Sequence, residues 1–283
     1  MEKALKKYWP FFVLPTFAAF VIGFIWPFLQ GLYLSFCKFI TIDRATFNGL
    51  KNYIFALTEP DFLHAFWFTA LFTIVPTICI NLAALAIALA LTREIKGTNI
   101  FRSVFFMPNL IGGIVLGYIW QILFNCVLTL LGKPLLSLHA PYGFVGLVIL
   151  MCWQQIGYMM IIYIAGLQSI PGDYLEAARI DGATERQILW KVKLPNLMPS
   201  ITICTFLSLT NGFKLFDQNL ALTGGDPAHK TEMLALNIYQ TFYGRAGAQW
   251  KGYGQAKAVL FCILVLVISF CQLRATRSKE VQQ

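Results

Sequence analysis

Ile170-Pro171-Gly172-Asp173-Tyr174-Leu175-Glu176-Ala177-Ala178-Arg179-Ile180-Asp181-Gly182-Ala183-Thr184-Glu185-Arg186-Gln187-Ile188-Leu189-Trp190-Lys191-Val192-Lys193-Leu194-Pro195, followed by Asn196-Leu197-Met198-Pro199, is a charged segment between two stretches without Asp, Glu, Lys or Arg, residues 134–172 and 194–213. Pro171 presets a helix-compatible φ, and Asp173 and Glu176 put acids in a first turn, where the helix dipole favours them. The spacing predicts a short helix over about 172–181. Gly182 is able to end it in the left-handed conformation, and Thr184 with Gln187 has the capping-box spacing that starts a second helix. Leu175, Ala178 and Ile180 add apolar surface, and the alanine pair keeps one side small. Such a helix, glycine corner and helix suits docking into a groove; an amphipathic connector lying on a lipid interface is the competing reading.

Working outward, the flanks decide the class. Residues 8–37, 65–92, 103–132 and 258–273 are also free of charge, and the 283-residue chain is 58% hydrophobic and only 12% charged. An ordinary soluble domain carries roughly 25% charged residues, and a bilayer-spanning helix needs about 20 apolar ones. The expectation is one all-α integral membrane domain over residues 1–283. Its six spans fall near 10–36, 66–92, 104–125, 143–167, 197–217 and 256–273, with the loop of about 170–199 between spans four and five. The segments outside the spans are too short for a soluble domain with its own core.

The net charge of +9 is a topology signal and not a nucleic-acid footprint. Alternate segments, beginning at the N-terminus, hold Lys3, Lys6, Lys7; Arg93, Lys96, Arg102; Arg179, Arg186, Lys191, Lys193; and Arg274, Arg277, Lys279. The opposite side holds only Lys38, Arg44, Lys51, Lys133, Lys230, Arg245 and Lys251, with Lys214 and Lys257 near helix ends. The positive-inside rule therefore puts both termini in the cytoplasm. The apolar run from Tyr8 to Cys37 is too long for a signal-peptide core and reads as an uncleaved first span. The seven cysteines lie mostly in spans, form no C-x-x-C and read as buried structural thiols.

The string Glu176-Ala177-Ala178-x-x-Asp181-Gly182-Ala183, with Leu194-Pro195 and Pro199, resembles the EAA loop of membrane subunits of type I ABC importers. The resemblance extends to the binding-protein-dependent sugar permeases. It is carried by Phe47-Asn48-Gly49-Leu50-Lys51-Asn52-Tyr53, by Phe101-Arg102-Ser103 through Pro108, by Trp120 and Phe124-Asn125, and by Phe216-Asp217 with Leu222 through Pro227. Phe68-Thr69 departs from the Asn-Thr usual in the family. The resemblance implies the type I importer permease fold in a bacterial or archaeal cytoplasmic membrane. It also implies the partners: a second homologous permease, in this family usually a different chain (a heterodimer) with two copies of this chain as the alternative, two ABC ATPase subunits that hold the ATP and magnesium, and an extracytoplasmic solute-binding protein that delivers a sugar or oligosaccharide. Another polar solute, such as glycerol phosphate, is the alternative. On the resemblance, Glu176 carries the polar contact to the ATPase, Ala177 and Ala178 the close packing and Gly182 the corner, with Asp181 beside it. Leu194-Pro195 joins the loop to span five.

Intramembrane polar residues are pathway candidates because lipid exposure is costly. Span four offers Gln154, Gln155 and Tyr158, and span five Ser208, Asn211 and Lys214, with Gln218 continuing the stripe; amides, hydroxyls and aromatic planes suit a sugar. Interhelical bonding is the alternative reading. Lys214 and Asp217 have i,i+3 ion-pair spacing. Thr223-Gly224-Gly225-Asp226-Pro227 is expected to contact the binding protein or plug the outer vestibule, or else to be an ordinary turn. Gly224 to Thr231 approaches a P-loop, but His229 occupies the required second glycine. His64, His139 and His229 are scattered and imply no metal. With no catalytic constellation, no internal repeats, and acids that sit in loops or close to span ends and not inside the spans where ion coupling would need them, an intramembrane enzyme and a secondary transporter both read as weaker than a permease whose energy comes from another chain.

Overall fold

A computed structural model describes residues 2–41, 44–93 and 97–277. Lys96 and Lys279 of the charge tally, and the last six residues of the chain, lie outside the described residues. The chain divides into two compact units, Met1–Glu59 with Ile238–Cys262, and Pro60–Asn237 with Ile263–Gln283.

In the first unit, α1 (Glu2–Phe20) runs through a π-helical turn at Val21–Ile25 into α2 (Trp26–Ser35). The widened turn falls just ahead of Pro27, which has no N–H to give. Apart from Ser35, the described side chains from Phe11 to Ser35 are not buried, and Phe20, Phe24 and Phe28 stack along one face. Strands β1 (Cys37–Phe39) and β2 (Ala45–Phe47) pair antiparallel, Cys37 opposite Phe47. Helix α3 (Lys51–Thr58) follows. Its buried Asn52 donates to the carbonyls of Ser35 and Cys37, both at 2.8 Å, and the hydroxyl of Tyr53 bonds Ser35. The Phe47–Tyr53 string is thus the tie that secures the end of the first span.

The second unit contains α4 (Pro60–Leu91), α5 (Thr98–Phe106), α6 (Gly113–Leu130), α7 (Ala140–Gln168), α8 (Gly172–Ile180), α9 (Glu185–Ile188), α10 (Leu194–Asn196), α11 (Met198–Phe213), α12 (Asp217–Leu222) and the first four residues of α13 (Leu234–Tyr239). Helix α14 (Gln249–Arg277) starts in the first unit and ends in the second. The core of the second unit is the packing of α4 on α7, with α11 against both. Ala84 and Ala88 of α4 let bulky Met159, Met160 and Tyr163 of α7 come close, in the small-residue manner of membrane helix pairs. Thr69 is buried and its hydroxyl accepts from the amide of Leu234 at 2.9 Å, so α4 keeps a polar tie despite Phe68.

Among the described residues, five helical runs are long and apolar enough to span a bilayer, and the bent pair Glu185–Asn196 and Met198–Phe213, counted as one span, makes a sixth. Span three differs from the expected 104–125. Helix α5 stops at Phe106, Met107–Leu110 forms a 3-10 turn around Pro108, and the apolar helix begins only at Gly113 and continues to Leu130. A charge-free run reports the solvent and not helix continuity, and Pro108 with Gly112 breaks this one. Span two starts six residues early, because Asp61 is tolerated in its first turn. Span five ends at Phe213 and not at 217, and the span-six helix extends beyond 256–273 at both ends.

Candidate functional site

Helix α8 covers Gly172–Ile180, as the sequence predicts, and ends in a Schellman motif. Gly182 takes φ +77°, its N–H donates to Arg179 O, and that of Ala183 donates to Ala178 O, each at 3.0 Å. Thr184 and Gln187 form the expected capping box, with Thr184 N–H donating to Gln187 Oε1 at 2.8 Å and Gln187 N–H to Thr184 Oγ1 at 3.3 Å. Arg179 and Glu185 bridge the corner at 3.3 Å.

The two alanines do not share a face. Adjacent positions lie about 100° apart on a helix, and Ala177 is exposed together with Tyr174, Glu176 and Ile180, whereas Leu175 and Ala178 are half-buried against the rest of the loop. Ile180 is 85% exposed, an unusual state for isoleucine in an ordered helix. Asp181 and Gly182 are also exposed. From α9 the chain continues through a π-helical turn, Leu189–Lys193, into α10, where Leu194 and Pro195 are half-buried. This arm meets α11 at a bend of 68° beside the fully buried Leu197.

The polar residues of spans four and five form pairs. Gln154 Nε2 donates to Ile111 O at 3.1 Å, and Gln154 Oε1 accepts from Gln218 Nε2 at 2.7 Å. Gln155 Oε1 accepts from Asn211 Nδ2 at 3.3 Å. Ser208 is fully buried and bonded to Asn81. Tyr158 is half-buried against the core and Lys214 is exposed. The four-residue stripe does not persist, because α11 ends at Phe213. Gln218 reaches Gln154 from α12, and Lys214 and Asp217, separated by the break, form no ion pair.

Two amides that sequence reasoning missed organise this region. Asn81 in α4 donates to Ser208 Oγ at 2.8 Å and accepts from the Tyr163 hydroxyl at 2.7 Å, tying α4, α7 and α11 together. The signal available was an amide inside the charge-free run 65–92. Asn219, fully buried, donates to Thr223 Oγ1 and Thr231 O and accepts from Met233 N–H. It holds the segment containing Thr223, Gly224, Gly225, Asp226 and Pro227, where Thr223 and Gly225 are buried and Asp226 projects. The amides of Gly225, Lys230 and Thr231 bond within this loop, so they form no phosphate cradle. Glu232 is buried, paired with His229, and its carboxyl is raised above the usual range by burial, with His229 and Asn237 partly offsetting the shift.

The family described as "Binding-protein-dependent transport system inner membrane component" matches residues 83–277. The chain belongs to this family. The permease is 41% identical over 285 residues to the probable starch degradation products transport system permease protein AmyD of Thermoanaerobacterium thermosulfurigenes, covering 97% of this chain and 95% of that one. It is 32% identical over 292 residues to the multiple sugar-binding transport system permease protein MsmF of Streptococcus mutans, covering 99% of each. A solved bacterial ABC transporter involved in import of the acidic polysaccharide alginate has the same fold, with TM-score 0.82, 19% identity and 98% of both chains covered. The permease is therefore a multi-pass membrane subunit of an ABC transporter with no catalytic centre of its own, and the EAA segment belongs to its family.

Proposed function

We propose that the permease carries a sugar or oligosaccharide, delivered by an extracytoplasmic solute-binding protein, across a bacterial or archaeal cytoplasmic membrane, with both termini in the cytoplasm. It pairs with a second, homologous permease, and two ATPase subunits supply the ATP and magnesium; this chain itself binds no cofactor. The observation that carries the reading is α8, a helix with exposed Tyr174, Glu176, Ala177 and Ile180, closed by Gly182 and joined through a continuous arm to span five. An apolar surface flanked by carboxylates is stable in water only at a cost, and a groove on the ATPase removes that cost. When the ATPases close on ATP, the docked helix moves, and Leu194-Pro195 passes the displacement to α11. The Gln155–Asn211 and Gln154–Gln218 pairs exchange their mutual bonds for sugar hydroxyls as α7 shifts against α11 and α12, with Tyr158 and Ser208 alongside and Lys214 near the outer end. The Thr223–Pro227 loop meets the binding protein. The choice of carbohydrate is supported by the names of the relatives at 41% and 32% identity.

Liposomes holding the two permeases and their ATPases, supplied with ATP and binding protein, are expected to accumulate a labelled starch-derived oligosaccharide. Vesicles with this chain alone should stay empty. Accumulation by the chain alone under an ion gradient would overturn the reading, and accumulation of glycerol phosphate in place of oligosaccharide would overturn its carbohydrate part.

A further inference from the structure

Beneath the coupling helix lies a cavity of about 590 Å³, where the end of α4 meets the EAA loop. Among the described residues, Arg93, Arg179 and Lys193 line it, with a single carboxylate, Glu185, and an apolar wall that includes Leu89 and Leu175. Glu185 is engaged with Arg179 at 3.3 Å. Among the described residues no carboxylate lies within ion-pair distance of Arg93 or Lys193. With Arg179 already paired to Glu185, Arg93 and Lys193 leave two uncompensated positive charges facing one space, and these repel each other unless a further anion sits between them. Three other cavities, in contrast, are lined mainly by apolar residues of the spans.

We propose that this cavity binds a phosphate-bearing anion. Two guanidinium forks and an ammonium suit the oxygens of a phosphate, which accept bidentate, charge-assisted hydrogen bonds. The leucine wall suits a ligand whose phosphate is attached to an apolar part, and the volume lies in the range of small-molecule sites. Two sources share this chemistry, the headgroup of an anionic phospholipid and a soluble phosphate ester or pyrophosphate. Either one bridges span two to the coupling loop and steadies the face from which α8 projects. The site is separate from the exposed face of α8, and its occupancy is measurable without ATP hydrolysis.

The test uses the full chain purified in neutral-lipid nanodiscs. Native mass spectrometry after exchange with phosphatidylglycerol or phosphatidylcholine reads the lipid arm, and titration with inorganic pyrophosphate reads the soluble arm. One arm is expected to show retention that falls about fivefold for each basic residue removed in Arg93→Gln and Lys193→Gln. It should be unchanged in Lys38→Gln/Lys51→Gln, two exposed lysines of the other unit. Preference for phosphatidylglycerol identifies a lipid headgroup, and saturable pyrophosphate binding in neutral lipid identifies a soluble ligand. Binding in neither arm, or equal losses in the Lys38/Lys51 control, overturns the proposal. So does a double variant that binds both ligands normally but loses affinity for the ATPase, since the cations would then serve that partner.

Discussion

A β-carbon at Gly182 would meet nothing within 4 Å, so replacement there strains the backbone without crowding any neighbour. Its φ of +77° costs an ordinary residue about 1–2 kcal/mol, and asparagine less. Gly182→Asn should keep uptake per ATP within about twofold of the parent, whereas Gly182→Val should lower it severalfold while membrane insertion persists. Normal uptake by the valine variant would remove Gly182 from the coupling path. A second residue-scale effect is electrostatic. Lys257 in α14 is fully buried and pairs with Glu59, which Arg245 also contacts at 2.6 Å. Burial alone would raise the Glu59 carboxyl, but Lys257 and Arg245 outweigh it and hold it below its ordinary 4.5. Glu59→Ala takes the carboxylate away from the buried Lys257 ammonium, which keeps its bond to Thr241 Oγ1, and should destabilise the protein by about 3 kcal/mol, measured by thermal unfolding in detergent. The two buried acids titrate in opposite senses. The contribution of Glu59 is present above 4.5 and fades as pH falls through its lowered value, while Glu232, with a raised value, loses stability as pH climbs from 4.5 through that value. Unfolding midpoints across the range from pH 4.5 upward should therefore decline less in Glu232→Gln than in the parent. An unchanged slope would refute the assignment to Glu232.

At the scale of elements, what the sequence disclosed depended on how local the cause was. Helix α8, its glycine stop and the capping box at Thr184 were legible because every interaction that makes them lies within six residues. The charge-free runs located the membrane but not the helix ends, since lipid tolerates an apolar residue in a turn as well as in a helix when the backbone is otherwise satisfied. The break at Met107–Leu110 is the clearest instance. The roles of Asn81 and Ser208 were hidden because their bond joins positions 127 residues apart, and no spacing rule reaches that far. The polar stripe of span five was likewise drawn through a helix that stops at Phe213. Packing of α5 on α7 offers a direct test of element placement. A methyl at Gly157 would overlap the carbonyl of Phe105, so Gly157→Ala must push the two helices apart at a cost of about 1–3 kcal/mol. Its unfolding midpoint should drop, while that of Gly172→Ala, where a β-carbon meets nothing, should not. Equal midpoints would mean that α5 does not rest on α7 in this way.

Across the whole molecule, the excess of basic residues on alternate segments makes a prediction about sidedness. In a cysteine-free background, Tyr243→Cys, at a position 76% exposed, should react with an impermeant maleimide in intact cells. Ile180→Cys should react only in inverted vesicles, and the reverse pattern would invert the topology. The first span makes a different demand on its surroundings. From Phe11 to Phe28 its described side chains, the stacked Phe20, Phe24 and Phe28 among them, lack burial within the chain, so lipid or a neighbouring subunit must supply the contacts that a core supplies elsewhere. The bend at Leu197 has its own mechanical meaning. The helical arm Glu185–Asn196 is about 18 Å long at 1.5 Å per residue. A push of about 3 Å on its far end turns it by about 10° about the buried Leu197. Because the arm and span five meet at 68°, on the proposed docking of α8 that turn would reach the membrane as a change of tilt, and the joint would act as a crank that converts sideways travel of the loop into rotation of the span.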